Sequence, residues 1–261
     1  ARRPAGAHRV LLRRVERGGG RWVFPRRWSA SFDLRHEGDA LLGLLRAMGV
    51  AHVHYHHLLG HAPRVWELAR ELGVGYDVTC HDFYSFCTHI TLTGRQGRYQ
   101  MDAQGECCGG QHPPSLPETR EPIEAWRIRN RRFLQQARNV LTPSLDTAER
   151  IRRAMPGAPI RCVPHTDIAP DSLPPPQPPR LGEREPLPIV VIGALSVIKG
   201  ADLLEETARL ARRAGAPLEF HLIGYGYRHL QTTPGTALTV HGQYADEDLP
   251  ALLQRIAPHL A

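Results

Sequence analysis

Lysine is nearly missing from this chain: of 33 lysines and arginines, Lys199 is the only lysine. Where arginine has taken every other basic position, a surviving ammonium marks a place for a compact, strongly hydrated point charge. Cysteine is sparse too. Five cysteines in 261 residues is an odd number in a chain too long for a stapled scaffold, which argues against a disulfide framework and for a reducing, cytoplasmic setting. No apolar run approaches the roughly 18 residues that cross a bilayer. The opening ARRPAGAHRV is basic but leads into no apolar core of the secretory kind. No nucleic-acid motif accompanies the net charge of +7, so nucleic acid is set aside as a partner. That charge favours anionic partners, either phosphorylated substrates or an acidic membrane surface.

What is present is an ordinary globular balance, 41% apolar and 23% charged, in a length that suits one large domain or two modest ones. Strands are expected at Arg9–Arg13 and Trp22–Phe24, then a helix capped by Asp39 and ended by Gly49. Alternation predicts a strand over Ala51–His57, a helix through Val65 and Leu72, and a strand over Tyr76–Cys80. A long irregular segment from Asp82 to Pro117 breaks the rhythm, and loops of that length are more often functional than idle. Regular structure returns as helix Ile123–Ala137, strand Asn139–Thr142, a helix capped by Ser144, and strand Ile160–Val163. Strands alternating with helices imply βαβ units and parallel sheets.

Eight of the nineteen residues from Pro170 to Pro188 are proline, a composition that forms a semi-rigid linker. It separates a first domain, 1–169, from a second, 189–261, that restarts the same rhythm. Strands Ile189–Ile192, Leu218–Ile223 and Leu238–His241 are expected there, with helices after Lys199 and over Asp246–Ala257. About seventy residues are too few for a doubly wound sheet of usual size, so the second domain reads as incomplete.

Four groups of residues could carry chemistry. In VVIGALSVIKGADLLEETARLARR, Val190 to Arg213, a buried strand leads through Gly193 and Ala194 into a turn and an amphipathic helix. Free N–H groups and the dipole at the helix start favour an anion, and Lys199 adds a full charge, so a phosphate or diphosphate is the natural guest. A plain strand-to-helix connection is the alternative, because one glycine turn is a weak signal. His81 and Asp82 end a parallel strand, where ligands of open α/β sheets gather. There His81 can donate to a sugar hydroxyl, and Asp82 can equally cap a loop. His52, His54 and His56 share a strand face at a spacing that metal-dependent hydrolases use, with His81 and Asp82 as further ligands. Strand histidines bonded to backbone are the plainer reading. Finally, Cys87, Cys107 and Cys108 with His89 and His112 could hold zinc, but no C-x-x-C pair exists and adjacent cysteines fit one ion poorly. Separate thiols and no metal site are expected there. The arginine-rich helix WRIRNRRFLQQAR, 126–138, offers a basic face that suits water or the anionic lipid of a peripheral membrane contact.

Taken in order, HVHYHHLLGH, YDVTCHDFYSFC, the GRY at 97–99, NVLTPS, RCVPH, GALSVIKGADLL, LEFHLIGYG, TVHGQY and DEDLPALL resemble the family 4 glycosyltransferases. HDFYSFC is most similar to bacterial members that build surface polysaccharide. The resemblance covers nearly the whole sequence. It implies a GT-B fold, with two facing Rossmann-like domains, and sugar transfer from a nucleotide-sugar to a glycan or lipid-linked acceptor hydroxyl with retention. No cofactor or obligatory metal is implied beyond the nucleotide-sugar itself. It assigns Gly193, Ser196, Lys199, Gly200, Gly224 and Gly242 to the donor diphosphate and nucleotide, and His81 with Asp82 to the acceptor side. Lys199 would neutralise the leaving diphosphate and His81 would face the sugar. Three departures stand out. Ala194 replaces an arginine that usually precedes the lysine, the glycine-rich loop that opens the first domain is absent, and so is the motif with two glutamates that grips the donor. The sequence therefore reads as an internal fragment of a transferase, and as a non-catalytic sugar-nucleotide-binding module if the fragment acts alone.

Overall fold

A computed structural model describes residues 8–13, 16–18, 21–23, 29–93, 99, 107, 112, 120–164, 186–230, 232 and 237–259. Contacts divide them into two compact units, one with the described residues through 164 and one with those from 186 onward.

The first unit opens with β1 (Arg9–Arg13), β2 (Glu16–Gly18), β3 (Arg21–Val23) and β4 (Ser29–Asp33). β1 pairs antiparallel with β4, and β2 with β3. Nothing in SASFD announces β4, because it holds one large apolar residue. Next comes α1 (Gly38–Ala47), which buries Leu41, Leu42 and Leu45 beside Leu34 and Ala62. Asp39 does not cap it. Glu37 holds the cap position, its carboxylate accepting from the Asp33 amide at 2.7 Å, and Asp39 stands within the first turn, paired with Arg64.

β5 (His52–Tyr55), α2 (Pro63–Trp66), α3 (Leu68–Leu72), β6 (Gly75–Thr79), α4 (Ile123–Gln136), β7 (Asn139–Thr142), α5 (Leu145–Ala154) and β8 (Ile160–Cys162) complete this unit. The single helix expected before Gly73 is two short ones, and Gly73 ends the second in the left-handed conformation, φ +74°. Ser144 caps α5 as expected, accepting from the Thr147 amide at 3.2 Å. The sheet order is β5-β6-β7-β8, all parallel. Consecutive order with right-handed crossovers puts every connecting helix on one face. Ala69, Leu134 and Ile151 from three helices accordingly share a core with Tyr55, Val78 and Val140. Each large residue buried there, such as Ile151 at 0% exposure, contributes roughly 1.5–3 kcal/mol. Alternation sends His52, His54, Asp77, Thr79 and Asn139 to the opposite face. These strands therefore alternate, unlike those of a sheet with apolar layers on both sides.

The second unit holds β9 (Leu187–Leu195), α6 (Ala201–Arg213), β10 (Leu218–Gly226), β11 (Leu238–Gly242), a 3-10 turn at Asp246–Asp248, and α7 (Leu249–Ile256). Its sheet is again parallel and consecutive, β11-β10-β9. The expected linker lies outside the described residues as far as 185, and its last two residues, Leu187 and Pro188, belong to β9 instead. Proline is tolerated because β9 is an edge strand, and the Pro188 carbonyl accepts from the His259 amide at 3.0 Å. α6 lays Ala201, Leu204, Ala208 and Ala211 against Phe220, Leu222 and Leu238. The last helix starts later than expected. Pro250, which fits only a first turn, sets the start of α7. The protein is thus mixed α/β, with a Rossmann-like parallel sheet in each unit.

Candidate functional site

In the second unit a row of glycines lies at the end of β11 and two residues before the ends of β9 and β10. Gly193, Gly224 and Gly242 are in register across β9, β10 and β11. All three have positive φ, +122°, +139° and +81°. A Cβ on Gly224 would stand 2.0 Å from the Gly193 carbonyl oxygen, so no other residue fits there. Gly224 is buried under the Gly193 carbonyl, while Gly193 and Gly242 are half-buried and have open space where a side chain would stand, near the carboxyl end of a parallel sheet. Past it, Ser196–Gly200 forms a tight turn. The Ser196 carbonyl accepts from the Lys199 and Ala201 amides, both at 3.1 Å, and its hydroxyl accepts from the Lys199 amide at 3.3 Å. Ser196 is therefore the turn's organiser, with its hydroxyl proton left to give. Gly200, left-handed at φ +82°, caps α6 without a side chain; the Ala201 amide is spent on the Ser196 carbonyl, which leaves the Asp202 and Leu203 amides of the first turn for a ligand. Lys199 is exposed and makes no ion pair among the described residues.

Asp202 near this helix start suits the dipole by sequence alone, but sequence reasoning missed its partners. Arg228 bridges Asp202 at 2.6 Å and Glu205 at 2.7 Å, and the Tyr227 hydroxyl contacts both Asp202 oxygens at 3.2 Å. Asp202 on the first turn of α6 satisfies its dipole, Glu205 stands one turn further in, and Arg228 offsets the charge of both. The signal lay in the pair of acids at 202 and 205, one helical turn apart, facing a basic residue just past the next strand.

In the first unit the strand ends carry side chains instead. The Leu59 amide donates to Nδ1 of His57 at 3.0 Å, so that nitrogen is bare and Nε2–H donates to Asp82 at 2.9 Å. Asp82 also accepts from the Tyr84 amide at 2.9 Å, the loop-capping role weighed above. His81 is exposed, its Nε2 lying 3.0 Å from Nδ1 of His56, and one ring of that pair must donate to the other. The His54 ring stacks on His56 with centroids 4.4 Å apart. Beside them Cys80 is buried, and burial pushes its thiol up to about 12, so it is no nucleophile at neutral pH. A cavity of about 50 Å³ lies beneath, lined by Asp82, Tyr84, Ser85 and Asn130 among others. Its size suits a water or two rather than a sugar.

The strand histidines do not converge on a metal. Residues i and i+2 of a strand stand about 6.6 Å apart, and each histidine turns to β6 instead. His52 meets Asp77 at 3.0 Å, His54 meets Thr79 Oγ1 at 2.8 Å, and His56 meets His81. All these partners are 25 residues apart, although the backbone register pairs His52 with Gly75. The side chains lean along the strand by one residue pair. Burial is the chief reason the His54 imidazolium is disfavoured.

Three of the five residues weighed for zinc do come together. Cys87, Cys107 and His112 place their ligand atoms within 4.8 Å of one another. Cys108 lies outside the described residues. The arginine-rich helix is less free than its sequence implies. Arg127 donates to the Phe86 carbonyl at 3.2 Å, and Arg129 clamps Glu121 while its guanidinium lies 4.3 Å over the Trp66 ring. Arg131 and Arg132 remain exposed. No described helix is long and apolar enough to cross a membrane.

No protein family and no curated protein matches the sequence. Among solved structures the chain is similar to a GtfA/B complex, with a TM-score of 0.45 and 12% identity over 88% of this chain and 41% of that one. It is also similar to Glycyrrhiza uralensis UGT73P12 complexed with glycyrrhetinic acid 3-O-monoglucuronide, with a TM-score of 0.40 and 14% identity over 87% of this chain and 53% of that one. Both are glycosyltransferases. The chain spans about half the length of these structures or less. Overlaps this loose do not by themselves establish a shared fold, and the α/β architecture rests on the strands and helices above.

Proposed function

We propose that this chain is part of a GT-B glycosyltransferase of the family 4 kind, moving a sugar from a nucleotide-sugar to an acceptor hydroxyl with retention. The observation that carries the reading is the row Gly193, Gly224 and Gly242 at the end of a parallel sheet, followed by the Lys199 turn and a helix start that no side chain caps. The open space at Gly193 and Gly242 lets a nucleotide approach closely, and the Asp202 and Leu203 amides with Lys199 meet the diphosphate. In transfer the bond between the anomeric carbon and the diphosphate oxygen breaks, a bond to the acceptor oxygen forms, and the acceptor proton is lost. Lys199 acts on the charge that develops on the leaving diphosphate, the place where preorganised charge does most. With that charge met by an ammonium and amides, no obligatory metal enters the scheme. His81, with Asp82 holding the start of its loop, serves the transferred sugar and acceptor.

The finer reading is a bacterial, cytoplasmic enzyme of polysaccharide or glycolipid synthesis. Its acceptor is a glycan or lipid-linked sugar, and exposed Arg131 and Arg132 support a peripheral contact with anionic lipid. The test is transfer from a panel of nucleotide-sugars to polysaccharide precursors, with the anomeric configuration of the product read by NMR. We expect a retained configuration and loss of transfer in His81→Ala with nucleotide binding intact. Equal transfer by His81→Ala removes that residue from the mechanism. Nucleotide binding with no transfer by the wild-type chain would instead favour a non-catalytic sugar-nucleotide-binding module.

A further inference from the structure

We propose that Cys87, Cys107 and His112, with His89 as fourth ligand, form a structural zinc site. It would tie Cys107 and His112 to the segment that leaves β6.

The three ligand atoms of Cys87, Cys107 and His112 already cluster within 4.8 Å. Cys87 is 0% and Cys107 2% exposed, which suits a closed structural site rather than an open catalytic one. Two thiolates with imidazole select zinc over the hard cations that prefer oxygen. Tetrahedral zinc at ordinary bond lengths sets sulfur and nitrogen about 3.5 Å apart. The Cys107 Sγ to His112 Nε2 distance of 2.9 Å therefore has to open by roughly half an ångström, within reach of side-chain rotation.

His112 is held as a metal-bound histidine needs to be held. Its Nε2 points at the sulfur while its Nδ1 lies 3.1 Å from the Thr88 hydroxyl, which fixes the ring from behind. His89 supplies an independent pointer. Its Nδ1 is buried with no hydrogen-bond partner among the described residues, an expensive state for an imidazole nitrogen, and its ring lies 6.0 Å from the His112 ring. Its ring nitrogens stand outside the 4.8 Å cluster, so His89 has to swing inward to complete the shell, and a metal bond would then satisfy it. Charge balances as well: two thiolates neutralise the ion, and the Arg127 guanidinium, 3.8 Å from Cys107 Sγ, favours thiolate over thiol. In the metal-free protein the Cys87 hydrogen bond and burial together push the Cys107 thiol above its ordinary range.

The site stands five residues beyond Asp82, so the ion would brace the loop that His81 opens. The inference does not depend on the reading of Lys199.

The experiment is metal analysis of the full chain purified under reductant without added metal. One zinc per chain is expected, falling to background in Cys87→Ser and Cys107→Ser and unchanged in the control His61→Gln. His89→Gln and Thr88→Ala should weaken zinc by about 10- to 100-fold in competition with a chromophoric chelator. Should the cysteine variants fail to fold, cobalt(II) titrated into chelated wild type reads the site directly. Thiolate-to-cobalt charge transfer with intense visible bands of a tetrahedral ion is the expected spectrum. Zinc content unchanged in Cys107→Ser, weak octahedral bands without charge transfer, or a Cys87–Cys107 disulfide in place of metal overturns the site. Unchanged affinity in His89→Gln overturns the fourth ligand.

Discussion

Where β5 and β6 run out in the first unit, the chain presents imidazoles and a carboxylate: His56 against His81, and His57 donating to Asp82. Where β9, β10 and β11 run out in the second, it presents glycine backbone and then a single ammonium. The sheets are otherwise alike, parallel and consecutive in order, the first packed against several helices and the second against α6. The same scaffold thus carries two kinds of strand end, one suited to donating and orienting hydrogen bonds, the other to letting a flat, charged ligand approach. The helix starts repeat the contrast. Ser144 caps α5 with its side chain, whereas Gly200 turns into α6 with backbone alone, the Ser196 carbonyl taking the Ala201 amide and leaving those of Asp202 and Leu203.

If the second unit's strand end is built from backbone, Gly224 tolerates nothing else. Gly224→Ala is expected to cost at least about 2 kcal/mol, because its Cβ meets the Gly193 carbonyl and its φ of +139° is denied to side chains. Urea unfolding measures it, and a loss below about 1 kcal/mol would mean the glycine row is incidental. The first unit should respond to side chains instead. Ser144→Ala should cost about 1 kcal/mol through the lost cap of α5, read by the same unfolding curves.

The smallest effect concerns pH. His54 has its folded-state pKa depressed below the ordinary 6.5, chiefly by burial, and Asp77 opposes that only in part. Folding therefore disfavours the imidazolium. Its contribution to stability is complete above 6.5 and is lost as pH falls below that value through the folded pKa. Unfolding midpoints compared on either side of 6.5 should drop less on acidification in His54→Gln than in wild type. An equal or steeper drop in the variant would remove His54 from the acid response.

Much of the fold was legible because periodicity and punctuation agree. β1 and β7 have the bounds their sequences imply, Ser144 caps as its spacing predicts, and Gly73 stops its helix. Failures fall where tertiary context overrides local pattern. Pro188 reads as linker, yet an edge strand absorbs a missing donor. SASFD reads as nothing and becomes β4 because β1 needs a partner. At the sites, the sequence locates Gly193, Gly224 and Gly242 but cannot show that register sets them in one row. It also overstates the strand histidines, whose ring nitrogens bond to Asp77, Thr79 and His81 rather than converging on one point, although the His54 and His56 rings stack. The gathering of Cys87, Cys107 and His112 is invisible to spacing, because it depends on how the segment after β6 folds back.

The central claim is that the second unit's strand end holds a nucleoside diphosphate. Calorimetric titration of nucleoside diphosphates into the wild type, Lys199→Ala and His81→Ala tests it most directly. The account predicts weak binding to the wild type and about tenfold or greater loss in Lys199→Ala, since each tenfold is about 1.4 kcal/mol and one charge contact supplies that much. His81→Ala should bind like the wild type. Unchanged affinity in Lys199→Ala would contradict the claim.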